Sequence, residues 1–101
     1  MNFVEALSLA KEHLSNNWVL EEDSAVILED KTIEDEFGWV FFYESKNYIE
    51  SDDYVDMLMG NAPIIINKRS GDVHVTGTAE PIEVYIERYK ESLEKSRKSA
   101  I

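Results

Sequence analysis

The sequence predicts an α+β fold: an N-terminal helix, a four-stranded antiparallel meander sheet and a C-terminal helix, with the helices packed on one sheet face. Three observations carry this reading. Residues 2–15 and 82–93 repeat apolar side chains at helical spacing. The runs Gly38–Tyr43 and Ala62–Ile66 are apolar on both faces of a strand, as central strands are. Shorter runs at Ala25–Leu28 and Asp72–Thr76 supply the remaining two strands.

The first helix places Phe3, Leu7, Ala10 and Leu14 on one stripe, widened by Val4 and Ala6. Glu5 near its start and Lys11 and His13 near its end suit the helix dipole. Ser15-Asn16-Asn17 supplies turn chemistry, and Trp18-Val19-Leu20 leads into Glu21-Glu22-Asp23 as a connector with an apolar anchor. Ala25–Leu28 opens the first strand, which extends toward Thr32 or beyond. Glu34-Asp35-Glu36 reads equally as a turn or as that strand's polar continuation.

Gly38–Tyr43 is the most apolar and aromatic run in the chain. Alternation sets Trp39, Phe41 and Tyr43 on one side and Val40 and Phe42 on the other, so neither side is wet. After Ser45 the periodicity fades. Tyr48 and Ile49 prolong the strand, Ser51-Asp52-Asp53 has the chemistry of a helix N-cap, and a short helical turn runs through Tyr54, Val55 and Leu58 to Gly60-Asn61.

Ala62–Ile66 is the second central strand, with Pro63 tolerated at its start. Lys68–Asp72 is a hairpin loop in which Gly71 is free to take positive φ. In Asp72–Thr76, Val73 and Val75 face one way and His74 and Thr76 the other, the pattern of an edge strand with an exposed histidine. Pro81 fits the first turn of the last helix, and Ile82, Tyr85, Ile86, Tyr89 and Leu93 mark its buried stripe. Past Leu93 the apolar stripe ends, so residues from about 95 to 101 are expected to fray into a basic tail. With both helices on one face, the other face is either an exposed binding surface or is covered by residues 46–59.

A chain of 101 residues forms one domain, 1–101, with room for a modest core. It has no cysteine, which excludes disulfides, thiolate metal sites and a thiol nucleophile. No apolar run reaches a membrane span and the N-terminus lacks signal-peptide features, so a cytoplasmic protein is expected. The net charge is −11 and uneven: residues 1–67 hold 15 acids and 3 bases (−12), residues 68–101 hold 6 acids and 7 bases (+1). That balance argues against nucleic-acid binding, which needs a basic surface; the acids either serve as a solvated face that keeps the domain soluble or steer a basic partner. No nucleophile elbow, phosphate loop, zincin helix or calcium loop is present, so neither a catalytic set, a metal site nor a cofactor is expected.

The run Glu36–Tyr43, then Gly60-Asn61-Ala62-Pro63-Ile64-Ile65-Ile66, Lys68, Gly71 and Gly77-Thr78, resembles the YrhB-like domain, also called the immunity protein 35 family. The similarity covers nearly the whole chain. Its most specific parts, Gly38-Trp39-Val40-Phe41 and Gly60-x-x-Pro63-Ile64-Ile65, are structural. The resemblance implies a bacterial cytosolic α+β domain, many of whose relatives neutralise a toxin delivered by a neighbouring cell. Some relatives are discussed as chaperone-like instead, and the family carries no catalytic residues to transfer. The expected function is therefore a non-catalytic immunity protein whose partner is a cognate protein toxin, with a chaperone-like or self-associating (homodimeric) module as the alternative. The candidate partner-binding residues are Glu34, Asp35, Glu36, Asp52, Asp53 and Asp56 as the acidic surface, with Tyr48 and Tyr54 as aromatic anchors.

Overall fold

The computed structural model describes residues 1–17, 25–46, 50 and 62–99. Their elements are α1 (Phe3–Asn17), β1 (Ala25–Ile27), a 3-10 turn (Glu29–Lys31), β2 (Ile33–Asp35), β3 (Gly38–Phe41), β4 (Tyr43–Ser45), β5 (Ile64–Asn67), β6 (Val73–Val75) and α2 (Ile82–Ser99). The expected connector at 18–23, the strand extension at Tyr48 and Ile49, and the helical turn through Tyr54 lie outside the described residues.

The α+β class and the terminal helices stand as the sequence predicts. The main sheet has the order β2-β3-β5-β6, all antiparallel, which is a meander. The first predicted strand, however, divides. Ala25–Ile27 pairs with β4 in a separate two-stranded sheet, whereas Ile33–Asp35 forms the outer strand beside β3. Between the pairs Ile27↔Tyr43 and Ile33↔Val40, five residues (28–32) oppose two (41 and 42). The surplus is wound into the 3-10 turn, with Lys31 N–H donating to Leu28 C=O at 3.0 Å and Leu28 N–H still reaching Phe42 C=O at 2.8 Å. Of the two readings open for Glu34-Asp35-Glu36, the strand holds for Glu34 and Asp35, and the turn begins at Glu36.

Helix placement is the correction. The two helices do not share one sheet face; each covers its own. Ala6, Ala10 and Leu14 of α1 pack on Trp39, Phe41, Ile64 and Ile66, with Phe3 and Tyr43 at the margin. Ile86 and Tyr89 of α2 pack on Val40, Ile65 and Phe37, with Ile33, Phe42, Ile82 and Leu93 around them. The reason lies in the central strands. Register pairs Trp39 with Ile66, Val40 with Ile65 and Phe41 with Ile64, so both faces are wholly apolar and each needs a cover. Each of these fully buried isoleucines is worth about 1.5–3 kcal/mol of transfer free energy, too much for either face to be left wet.

α1 is capped reciprocally. Glu5 N–H donates to Asn2 Oδ1 at 2.9 Å and Asn2 N–H donates to Glu5 Oε1 at 3.3 Å, a capping box. α2 continues past Leu93 to Ser99, beyond the point where its apolar stripe stops. Glu, Lys and Arg are good helix formers, so propensity sustains turns that packing does not. Gly38 has φ 148°, and a Cβ there would strike the carbonyl oxygen of Ile66, so only glycine lets β3 approach β5 this closely.

Candidate interaction surface

The outer strand β2 and the turns flanking it collect acids. Glu34 pairs with Trp39 and therefore projects to the α1 side, where it is exposed. Asp35 lies on the α2 side, where Lys90 Nζ sits 3.1 Å from its Oδ2. The Oδ1 of Asp35 accepts the N–H of Glu36 at 2.7 Å. The Lys90 hydrogen bond holds the Asp35 carboxyl below its ordinary range, and the Asp35 carboxylate pushes the Lys90 ammonium up. Asp35 is thus a strut between β2 and α2. Glu36, at the turn into β3, is exposed, as are Glu29 and Asp30 in the 3-10 turn. Among the described residues neither Glu34 nor Glu36 makes an ion pair.

Of the sequence-derived candidates, the structure brings Glu34, Asp35 and Glu36 onto one sheet edge and ties the middle one to a helix. Tyr48, Asp52, Asp53, Tyr54 and Asp56 lie outside the described residues. Glu29 and Asp30, absent from that set, extend the acidic rim; their signal was simply proximity in a charged run. Tyr43 is half-buried against the α1 core, where burial and the neighbouring Glu44 carboxylate raise its phenol pKa.

At the same end of the strands, in register with Gly38 and Asp35, the β5–β6 hairpin is built around Asn67. Its Oδ1 accepts the N–H groups of Arg69 at 2.9 Å and Ser70 at 3.0 Å, and its Nδ2 donates to the Tyr89 hydroxyl at 3.0 Å. Its C=O accepts Gly71 N–H at 2.9 Å, with Gly71 at φ 75° as the loop chemistry requires. The Tyr89 ring meets Phe37 edge-on at 5.1 Å and lies 5.2 Å from the exposed His74. Lys68 lies over the Trp39 ring at 5.6 Å. This is hairpin and core architecture with no nucleophile–base pair. Among the described residues no three His, Asp or Glu side chains gather as metal ligands, and no helix is long and apolar enough to cross a membrane.

A helix-covered, two-faced antiparallel sheet with an acid-lined edge is a frame for presenting surface. The chain belongs to the immunity protein 35 family, whose profile matches residues 4–92. It is also similar to the uncharacterized protein YrhB of Escherichia coli (strain K12), 37% identical over 78 residues that make up 75% of this chain and 80% of that protein. No solved structure matches it. The family name is that of an immunity protein.

Proposed function

We propose that this protein is a non-catalytic immunity protein that binds a cognate toxin and neutralises it through an acidic surface with aromatic anchors. One observation carries the reading: a member of this family holds 15 acids against 3 bases in its first 67 residues. Such a field raises the encounter rate with a basic partner and orients it before contact. The exposed acids at Glu34 and Glu36, flanked by Glu29 and Asp30, supply one part of that surface. By the sequence reading, Asp52, Asp53 and Asp56 are proposed as further contributing acids and Tyr48 and Tyr54 as aromatic anchors. Asp35 contributes by holding the β2 edge to α2.

The competing chaperone-like reading rests on a bare apolar sheet face. With α1 on one face and α2 on the other, it has lost that support.

The test is a search of the neighbouring reading frames for a toxic domain, co-expression with the one found, and stopped-flow association of the purified pair. The wild type should restore growth. Reversing the charges at Asp52, Asp53 and Asp56 together should slow association about tenfold at low salt, and added NaCl should slow the wild type toward the same rate. Association indifferent both to the reversal and to salt would remove this surface from the mechanism.

A further inference from the structure

β6 ends the sheet, and among the described residues no strand lies on its outer side. Its register with β5 decides which backbone groups face outward. Asn67 N–H donates to Asp72 C=O and Thr76 N–H donates to Pro63 C=O, each at 3.0 Å. Antiparallel pairs alternate between bonded and non-bonded, so Asp72, His74 and Thr76 turn their backbone groups toward β5, although the Asp72 N–H goes to Ser70 Oγ. Val73 and Val75 turn their N–H and C=O groups to the open edge.

Their side chains are exposed as well, 36% for Val73 and 50% for Val75, on the α1 side of the sheet as partners of Ile66 and Ile64. Exposed Met1 adds to the apolar rim at the hairpin end, its Cε 3.2 Å from the place a Cβ would take at Gly71. Soluble proteins commonly blunt such an edge with lysine, proline or a bulge. Val73-His74-Val75 carries none of these.

We infer that β6 is the docking edge for a second copy of this chain, paired antiparallel about a two-fold axis at His74. Val-His-Val reads the same in both directions. An antiparallel copy therefore sets Val73 against Val75 of the partner subunit, and Val75 against the partner's Val73. Both valine pairs exchange N–H···O=C bonds, and the two histidines form the central non-hydrogen-bonded pair. Every outward group of the strand is used, and two four-stranded sheets become one of eight strands. An axis moved to Val73 would call on Gly71, whose amide already donates to Asn67 and whose φ of 75° takes it off the strand line.

Charge favours the same arrangement. β6 belongs to the last third of the chain (residues 68–101), whose net charge is +1, while the acid-lined β2 edges are carried to the far ends of the joint sheet. What the repeated valine adds is that both cross-subunit pairs are Val–Val, matched β-branched side chains on the α1 side of the joint sheet. The inference is independent of toxin neutralisation, whose described acids, Glu34 and Glu36, lie at the β2 side of the sheet.

The chain has no cysteine, so His74→Cys introduces a single thiol. A central non-hydrogen-bonded pair sets the two Cα atoms about 4.5 Å apart, within the roughly 4.4–6.8 Å that a disulfide spans. Mild oxidation should link His74→Cys into a dimer. Val73→Cys, with its twin about 9 Å away, should link at least roughly tenfold more slowly. By sedimentation equilibrium the wild type should approach twice the 11.7 kDa of one chain as concentration rises. Val75→Pro should stay at the single mass, because the Val75 amide has no partner in its own sheet and proline removes only the intermolecular bond. Circular dichroism checks that this variant is folded; should it unfold, Val75→Lys takes its place. A wild type of single mass up to its solubility limit overturns the inference. So does dimerisation that survives the folded substitution at Val75, or faster cross-linking at residue 73 than at 74. A monomer whose Val73 and Val75 amides gain hydrogen-exchange protection only when toxin is added would assign the edge to a different partner and overturn it equally.

Discussion

Asn67 stands at the junction of three tasks. It ends β5, its side-chain oxygen organises the loop of the β5–β6 hairpin, and its side-chain nitrogen secures Tyr89 of α2. No smaller polar side chain offers an acceptor and a donor in that geometry. Asn67→Ala should therefore cost about 2 kcal/mol in urea unfolding, since it leaves the Tyr89 hydroxyl buried without a partner and returns two loop amides to water. Tyr89→Phe removes only the contact to Nδ2 and should cost about 1 kcal/mol. The double variant should cost less than the sum, because the two changes share one hydrogen bond. Equal costs for Asn67→Ala and Tyr89→Phe would mean that the loop bonds contribute nothing. From sequence, Asn67 is the residue after an isoleucine run. Nothing in its neighbours announces a partner 22 positions away.

At the scale of elements, the strut between β2 and α2 is the Asp35–Lys90 pair. The Asp35 carboxyl is lowered in the folded chain, chiefly by the Lys90 hydrogen bond, so its contribution is present above the unfolded carboxylate pKa. It is lost as pH falls through the lower, folded value. Asp35→Asn should lower Tm by about 2–4 °C at pH 7, and the gap to wild type should close below about pH 4. A gap unchanged at pH 3 would show that the loss came from something other than this carboxylate. Elements were legible where one pattern dominated. Ile64-Ile65-Ile66 and Trp39–Phe42 could only be central, and the stripe from Ile82 to Leu93 could only be a helix. The same two-sided apolarity hid which helix covers which face, because either side offers an equivalent bed. The break at Leu28–Thr32 was hidden for another reason. It contains no glycine or proline, and Glu29-Asp30-Lys31 imitates the polar phase of a strand. Read from sequence, Glu5 has only a dipole role, and the structure adds its reciprocal capping box with Asn2.

Across the whole molecule, charge sets two properties against each other. The first 67 residues carry −12, and ion pairs such as Lys46–Glu50, Arg88–Glu80 and Lys90–Asp35 return part of the cost. Like charges held close in the folded chain repel, and unfolding lets them separate. Raising NaCl from about 0.01 to 0.1 M shortens the Debye length from about 30 to 10 Å, which screens that spread repulsion more than it screens pairs in close contact. Thermal stability should therefore rise with salt over this interval, measured as Tm at constant pH. The attraction toward a basic toxin is the same field seen from outside, so its association rate should fall over the same interval. A Tm that falls with added NaCl would mean that the ion pairs outweigh the repulsion. The acids would then be stabilising the fold itself, and a field kept for recognition would no longer be needed to explain them.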